Sequence, residues 1–369
     1  MVLEEKRKPQ TNESAKAEED IFFLLNYKQP KPRTCCAKIR FGLSYFFREL
    51  VPIVCCPPCP ASIIHKLAFR PPERPTYDLF RYGRNEYRIH LRAAAYEFLR
   101  LRYRRCQTYT SQMRCFYICR KNAPRIACLF ARSLTPNAES ETLTLLYSHN
   151  NGIDLGLSIA YVVLLCRRFR VNVFAYDYAG YGKSGGQCSE AAFYRSAELA
   201  YEFVTKDMGV SPDQLVLIGT SLGTAATIHL ASTKHPVRGL ILQGGFLSAL
   251  RVRCPRRNYT CAMDRFVNMD KIAQVKYPTL VVHGRKDKLF SVTHAEVLRE
   301  RCPGAKAIKP LLIDDCGHLE FDEFPQYWMR LHQFLHKDLT QAAAEEPCCT
   351  YHPEEMILRQ SMRSKWRES

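Results

Sequence analysis

The chain has 369 residues, 46% apolar and 24% charged, which fits a globular protein with a sizeable core: one large domain plus extensions. Its net charge of +18 is concentrated, because residues 21–132 hold 22 Lys/Arg against 5 Asp/Glu, or +17 of that total. Such a block suits anionic lipid headgroups or nucleic acid. No zinc-finger, RRM or helix-turn-helix pattern accompanies it, so an anionic membrane surface is the expected partner and nucleic acid is not.

In chain order, residues 1–20 read as a charged, disordered tail with no apolar h-region and no Gly at position 2. Neither a secretory leader nor myristoylation is therefore expected, and the 17 cysteines are expected to be reduced in the cytosol. Residues 1–54 form an extension with membrane-proximal cysteines. The stretch 55–113 follows as a Cys/Pro-rich anchor and basic linker, containing Cys55-Cys56-Pro57-Pro58-Cys59-Pro60 and a basic helix expected over 88–105. No apolar run approaches the ~20 residues that span a bilayer.

From 114 to 338 short β runs alternate with helical stretches. Strands are predicted at 125–132, 143–148, 171–176, 215–219, 239–243, 279–283 and 308–313. Helices are predicted at about 154–168, 189–207, 221–232, 291–301 and 325–338. Val/Ile/Leu-rich strands separated by helices call for a mostly parallel central sheet covered on both faces, an α/β fold. Residues 339–369 read as a polar tail with another cysteine pair, Cys348-Cys349.

The strongest chemical signal is Gly219-Thr220-Ser221-Leu222-Gly223, where the strand LVLIG ends and a helix begins. That is the setting of a G-x-S-x-G nucleophile elbow, with glycines where the turn has no room for a Cβ. Ser221 is the expected nucleophile of an α/β-hydrolase fold, and it needs a base and an orienting acid in the order Ser, Asp/Glu, His. Asp287 follows the strand TLVVH and His318 follows IKPLLI, both beyond carboxyl ends of strands, where sites of open α/β sheets gather. Asp314 and Asp315 are rival acids but lie close to His318 in sequence. His149, His283 and His294 read as structural. For the oxyanion, the Leu222 amide is one donor and the Asn151 amide the other, with Asn150 as the alternative. This chemistry serves ester, thioester or amide and requires no cofactor and no metal.

Several strings taken together resemble the α/β-hydrolase domain-containing 17 family. They are Cys55-Cys56-Pro57-Pro58-Cys59-Pro60 with Lys66-Leu67-Ala68-Phe69 and Pro71-Pro72; Ser148-His149 with Asn151 and Asp154-Leu155-Gly156; Tyr176-Asp177-Tyr178, Gly180-Tyr181-Gly182 and Ser184; Gly209-Val210-Ser211-Pro212; the GTSLGT elbow; Leu250-Arg251-Val252; His283-Gly284 with Asp287; and Glu300-Arg301-Cys302-Pro303. The family's HGN is His149-Asn150-Asn151 in this chain, and its GQSIG is GTSLG. The roughly 50 residues before the CCPPCP string and the tail after 340 have no counterpart in it.

The resemblance implies protein depalmitoylation: hydrolysis of palmitoyl-cysteine thioesters on S-palmitoylated membrane proteins. It also implies a peripheral, lipid-anchored enzyme on the cytoplasmic face of plasma and endosomal membranes. Clustered Cys35, Cys36, Cys55, Cys56 and Cys59 beside apolar and basic residues independently suit S-acylation, since stable anchoring takes two signals. A zinc site from the same cysteines is the rival reading, with poor ligand spacing. A short cap is expected in the segment between the strand GLILQ and Tyr277, where Arg251, Arg253, Arg256 and Arg257 read either as a solvated basic face or as a contact for acidic lipid or substrate. A lipid esterase and a catalytically impaired scaffold are the competing functions.

Overall fold

A computed structural model describes residues 68–93, 95, 113–133, 143–233, 235–252, 260 and 264–345. Ten strands form one sheet: β1 Tyr77–Gly83, β2 Glu86–Leu91, β3 Met113–Ile118, β4 Ile126–Ala131, β5 Thr144–Ser148, β6 Asn172–Tyr176, β7 Leu215–Thr220, β8 Gly239–Gln243, β9 Thr279–Gly284 and β10 Leu311–Ile313. Their order is β1-β2-β3-β4-β6-β5-β7-β8-β9-β10. The pairings from β1 through β4 to β6 are antiparallel, and those from β6 through β5 to β10 are parallel. The parallel half, with helices over both faces, is the α/β arrangement the alternating pattern predicts.

The central strands are buried end to end, IACLFA in β4, LVLIGT in β7 and TLVVHG in β9, because helices shield each face. Alternation along β7 sends Leu217 to one core and Val216 and Ile218 to the other. The first core packs under helix α2 Glu190–Glu202 and helix α3 Gly223–Ala231, with Phe193, Ala225 and Leu217 in contact range. The second lies under helix α1 Leu155–Phe169 and helix α6 Pro325–Gln333, with Ile159, Val163, Tyr327 and Leu331 buried. Truncating a residue such as Leu217 to Ala is expected to cost about 2–5 kcal/mol. Short helices α4 Asn268–Lys271 and α5 Thr293–Arg301 complete the first layer.

Helix ends follow local chemistry. Asp154 N-caps α1 by accepting from the Leu157 amide, and Ser189 N-caps α2 by accepting from the Ala192 amide. Arg167 and Arg168 occupy the last turn of α1, where cations suit the dipole.

Three expectations are corrected. Residues 88–91 are not the start of a basic helix but the end of β2, which with β1 forms an antiparallel hairpin inside the stretch read as linker. The last strand is Leu311–Ile313 rather than 308–313, since Pro310 has no N–H for a ladder. The polar tail starts with helix α7 Leu339–Glu345, held by the buried Leu339 side chain against Gly239.

Candidate active site

Ser221 lies between β7 and α3 with φ of 52°, a left-handed conformation that costs a non-glycine residue roughly 1–3 kcal/mol. The surroundings hold it there: its amide donates to Gln243 O at 2.8 Å and its carbonyl accepts from Thr224 Oγ1 at 2.6 Å. The glycines of the motif are required by contact. A Cβ on Gly219 would fall 2.4 Å from Gly223 O, and one on Gly223 would fall 2.0 Å from Ser148 O. The elbow is thus wedged between the end of β5 and its own helix. Beneath it, Gln243 Nε2 donates to Tyr161 and Tyr327, and Gln243 Oε1 accepts from Thr220, tying the elbow to α1 and α6. Nothing in the sequence pattern marked Gln243 for this part.

The loops after β9 and β10 bring Asp287 and His318 to the serine. His318 Nε2 is 2.8 Å from Ser221 Oγ, and His318 Nδ1 is 2.6 Å from Asp287 Oδ2. A carboxylate accepts, so Nδ1 carries the proton and Nε2 presents its lone pair to the hydroxyl. Asp287 Oδ1 accepts from the Leu289 and Phe290 amides, each at 2.8 Å, so its orientation is fixed. Burial pushes the Asp287 carboxyl up, but the His318 hydrogen bond and charge and the Phe290 amide outweigh it, leaving it below its ordinary value. The Phe290 ring stands edge-on to His318 at 4.8 Å between centroids.

The rivals for the acid are elsewhere. Asp314 and Asp315 are exposed and pair with Arg285 and Lys286. Together with Arg285 N→Ile313 O and Lys286 N→Cys316 O, these pairs clip the two site loops to each other. His283 is buried and donates from Nε2 to Phe290 O at 2.8 Å, with Asp287 Oδ2 at 3.3 Å. Burial lowers the pKa of His283 and, as the largest cause, takes that of His294 down to about 4.

Leu222 is the N-cap of α3, where first-turn amides have no intrahelical acceptors. Asn151 lies in the loop after β5, and the Ser148 and His149 carbonyls leading into it pack against Gly223. Its side chain is fully engaged: Nδ2 donates to Ala68 O at 2.7 Å, and Oδ1 accepts from the Arg70 amide at 2.9 Å and from Tyr181 OH at 2.6 Å. Residues 68–70 are thereby pinned to this loop. Asn150, which stands where the family has glycine, is absent from the described non-glycine residues with positive φ, so the loop does not need glycine's freedom. Its Nδ2 donates to Asn151 O. Behind the loop, Asp154 and Asp177 are buried, accepting from Thr76, Tyr77 and the Leu155 and Leu157 amides.

The basic-cap reading fails for Arg251. It is fully buried, donating to Ser248 Oγ, Asp264 Oδ2 and Thr260 Oγ1, because a buried carboxylate needs a paired cation. Arg253, Arg256 and Arg257 lie outside the described residues, as do Cys35, Cys36, Cys55, Cys56, Cys59, Cys348 and Cys349. Among the described residues no group of three or more His, Cys, Asp and Glu could hold a metal ion, and no helix is long and apolar enough to cross a membrane.

Comparison with known proteins decides the family. The chain is 34% identical over 294 residues to human alpha/beta hydrolase domain-containing protein 17B, covering 79% of this chain and 97% of that protein. It belongs to the α/β-hydrolase domain-containing protein 17 family. A second family relative, mouse alpha/beta hydrolase domain-containing protein 17C, is 33% identical over 317 residues, covering 79% of this chain and 95% of its own length. About a fifth of the chain falls outside the family match, in keeping with the extension read from the sequence. The fold of this family member is also that of an esterase from Pyrococcus furiosus, with a TM-score of 0.50 and 16% identity over 60% of this chain and 91% of that one. No family model matches.

Proposed function

We propose that the protein is a serine hydrolase that removes palmitate from S-acylated membrane proteins. The observation that carries the reading is the relay from Ser221 Oγ to His318 Nε2 at 2.8 Å and from Nδ1 to Asp287 Oδ2 at 2.6 Å, in a chain of this family.

In the proposed reaction Ser221 Oγ attacks the thioester carbonyl while His318 Nε2 takes the hydroxyl proton. Asp287 stabilises the imidazolium, and the amides of Leu222 and Asn151 stabilise the oxyanion. The C–S bond then breaks, the substrate cysteine leaves with the proton returned by His318, and Ser221 is left acylated. Water, deprotonated by His318, attacks that ester and releases palmitate and free Ser221. A thiol with pKa near 8.5 is a better leaving group than an alcohol or amine, so the same site turns over thioesters readily.

Attachment is proposed through acylation of Cys35, Cys36, Cys55, Cys56 and Cys59, aided by the basic stretch. That places a peripheral enzyme on the cytoplasmic face of plasma and endosomal membranes, against an anionic surface and beside its acylated protein substrates.

Purified full chain is assayed on a palmitoyl-cysteine protein and on an acylglycerol. Faster release from the protein, abolished in Ser221→Ala, is expected; faster turnover of the glycerol ester would assign a lipid esterase instead. Serine at all five cysteines is expected to move the folded protein to the soluble fraction of cells, and its retention on membranes would place the anchor elsewhere.

A further inference from the structure

The hairpin of β1 and β2 carries an outer face that neither the fold nor the site uses. Phe80 is 60% exposed and Tyr82 is 53% exposed, and among the described residues Leu289 and Met329 are the other exposed large apolar side chains. The register places Arg88 opposite Phe80 and His90 opposite Asp78 on one side of the hairpin; an irregularity between Arg81 and Gly83 interrupts the alternation at Tyr82, whose ring meets Arg88 on that same side. The Arg88 guanidinium stands over the Tyr82 ring at 5.1 Å, and the Phe80 and His90 rings meet edge-on at 5.9 Å. Arg81 and Arg84 are exposed toward the turn. The acidic groups of the hairpin are already matched, Asp78 by Arg92 and Lys183, and Glu86 by Arg114. What remains outward is a pair of aromatic rings rimmed by cations.

We infer that this face docks onto an anionic lipid bilayer, with Phe80 and Tyr82 entering the headgroup layer and Arg84 and Arg88 meeting lipid phosphates. The inference rests on the proposed membrane attachment. Aromatic rings with a polar rim suit the membrane–water boundary, and long basic side chains keep their charge among headgroups while their stems lie in apolar surroundings. Charge complementarity selects the partner, since +17 of the +18 net charge lies in the stretch 21–132 that contains this hairpin. Chain connectivity adds to it: Tyr77 follows Cys59 by 18 residues, so an acylated anchor would hold the hairpin close to the lipid. At the high effective concentration that such tethering creates, a weak patch is enough to fix orientation.

The test uses full-length, unacylated protein and vesicles of phosphatidylcholine alone or mixed with phosphatidylserine. Binding is expected to the mixed vesicles. Phe80→Ala/Tyr82→Ala should weaken it about tenfold, because roughly half of each ring's surface is available to leave water. Arg84→Glu/Arg88→Glu should remove the preference for phosphatidylserine, and both variants should hydrolyse a soluble short-chain ester as the wild type does. Unchanged vesicle binding by Phe80→Ala/Tyr82→Ala would overturn the inference, as would no binding by the wild type. Loss of a wild-type dimer in ultracentrifugation, with vesicle binding intact, would make the face a contact between copies and overturn it equally. Membrane attachment is read separately: acylated protein that fractionates with cell membranes while the vesicle test fails would leave the anchor standing and remove only the docking face.

Discussion

The two halves of the sheet are built to opposite ends. Along the parallel half, from β6 to β10, the loops at the strand ends turn inward: Ser221 and Asp287 are at most 9% exposed, and Asp287 is held by the Leu289 and Phe290 amides and by His318, which reaches Ser221. The antiparallel hairpin at the other edge turns Phe80, Tyr82, Arg81, Arg84 and Arg88 outward. A parallel sheet buried on both faces can hold reacting groups in place without flexing. An edge hairpin covered on one face only can offer the other to a surface. If this division is right, changes in the first region alter turnover and leave lipid binding alone, and changes in the second do the reverse.

The largest effect is expected from Asp287→Asn. An amide at this position favours the wrong tautomer of His318, and kcat on a soluble ester should fall about 10⁴-fold with the fold retained. A fall of less than tenfold would show that His318 does not depend on Asp287.

Asn151→Ala should be next, at about 100-fold in kcat with KM little changed, because it frees the loop whose amide is proposed to face the oxyanion. Steady-state kinetics separates this from a binding role. An effect confined to KM would remove Asn151 from the positioning of that loop.

A smaller, pH-dependent effect is expected from Asp154→Asn. Burial, then the Asp177 charge, raises the Asp154 carboxyl from 3.8 to about 6. The folded state therefore holds a proton that the unfolded chain has lost, and the stability contributed is full below pH 3.8 and disappears as pH rises through about 6. Denaturant titrations should show wild-type stability falling by up to about 3 kcal/mol across that window from this group. The fall should be flattened in the variant. Asp287 has the opposite sign: its depressed carboxyl stabilises the fold above the ordinary carboxylate range, and that support is lost in stronger acid.

The smallest effect on chemistry belongs to the hairpin. Phe80→Ala/Tyr82→Ala should leave soluble-ester turnover within about twofold of wild type, and a larger loss would couple the hairpin to the site and break the division.

Much of the first region is legible in the sequence, because it depends on residues next to one another. Glycines flank a serine at a strand-to-helix junction, and an acid and a histidine each follow a strand. Those patterns suffice to prefer Asp287 over Asp314 and Asp315. The Asn151 clamp is not legible, since its partners at Ala68 and Arg70 lie more than 80 residues away. Gln243 escapes for the same reason, supporting an elbow from a neighbouring strand. The hairpin is missed because the helical stretch that includes Ala93 and Ala95 reads in sequence as reaching back over 88–91, although Gly83-Arg84-Asn85, with Asn85 at φ of 63°, marks its turn. Arg251 misleads in the other direction. A run of arginines looks solvated in sequence, and only the fold brings Asp264 to the first of them.

Fluorophosphonate labelling of the purified full chain tests the central claim most directly, because the probe reacts only with a serine made nucleophilic by its base. Wild type is expected to label rapidly, and Ser221→Ala, shown to be folded by its thermal transition, is expected not to label at all. Labelling that survives Ser221→Ala, or a folded wild type that does not react, would contradict Ser221 as the activated nucleophile.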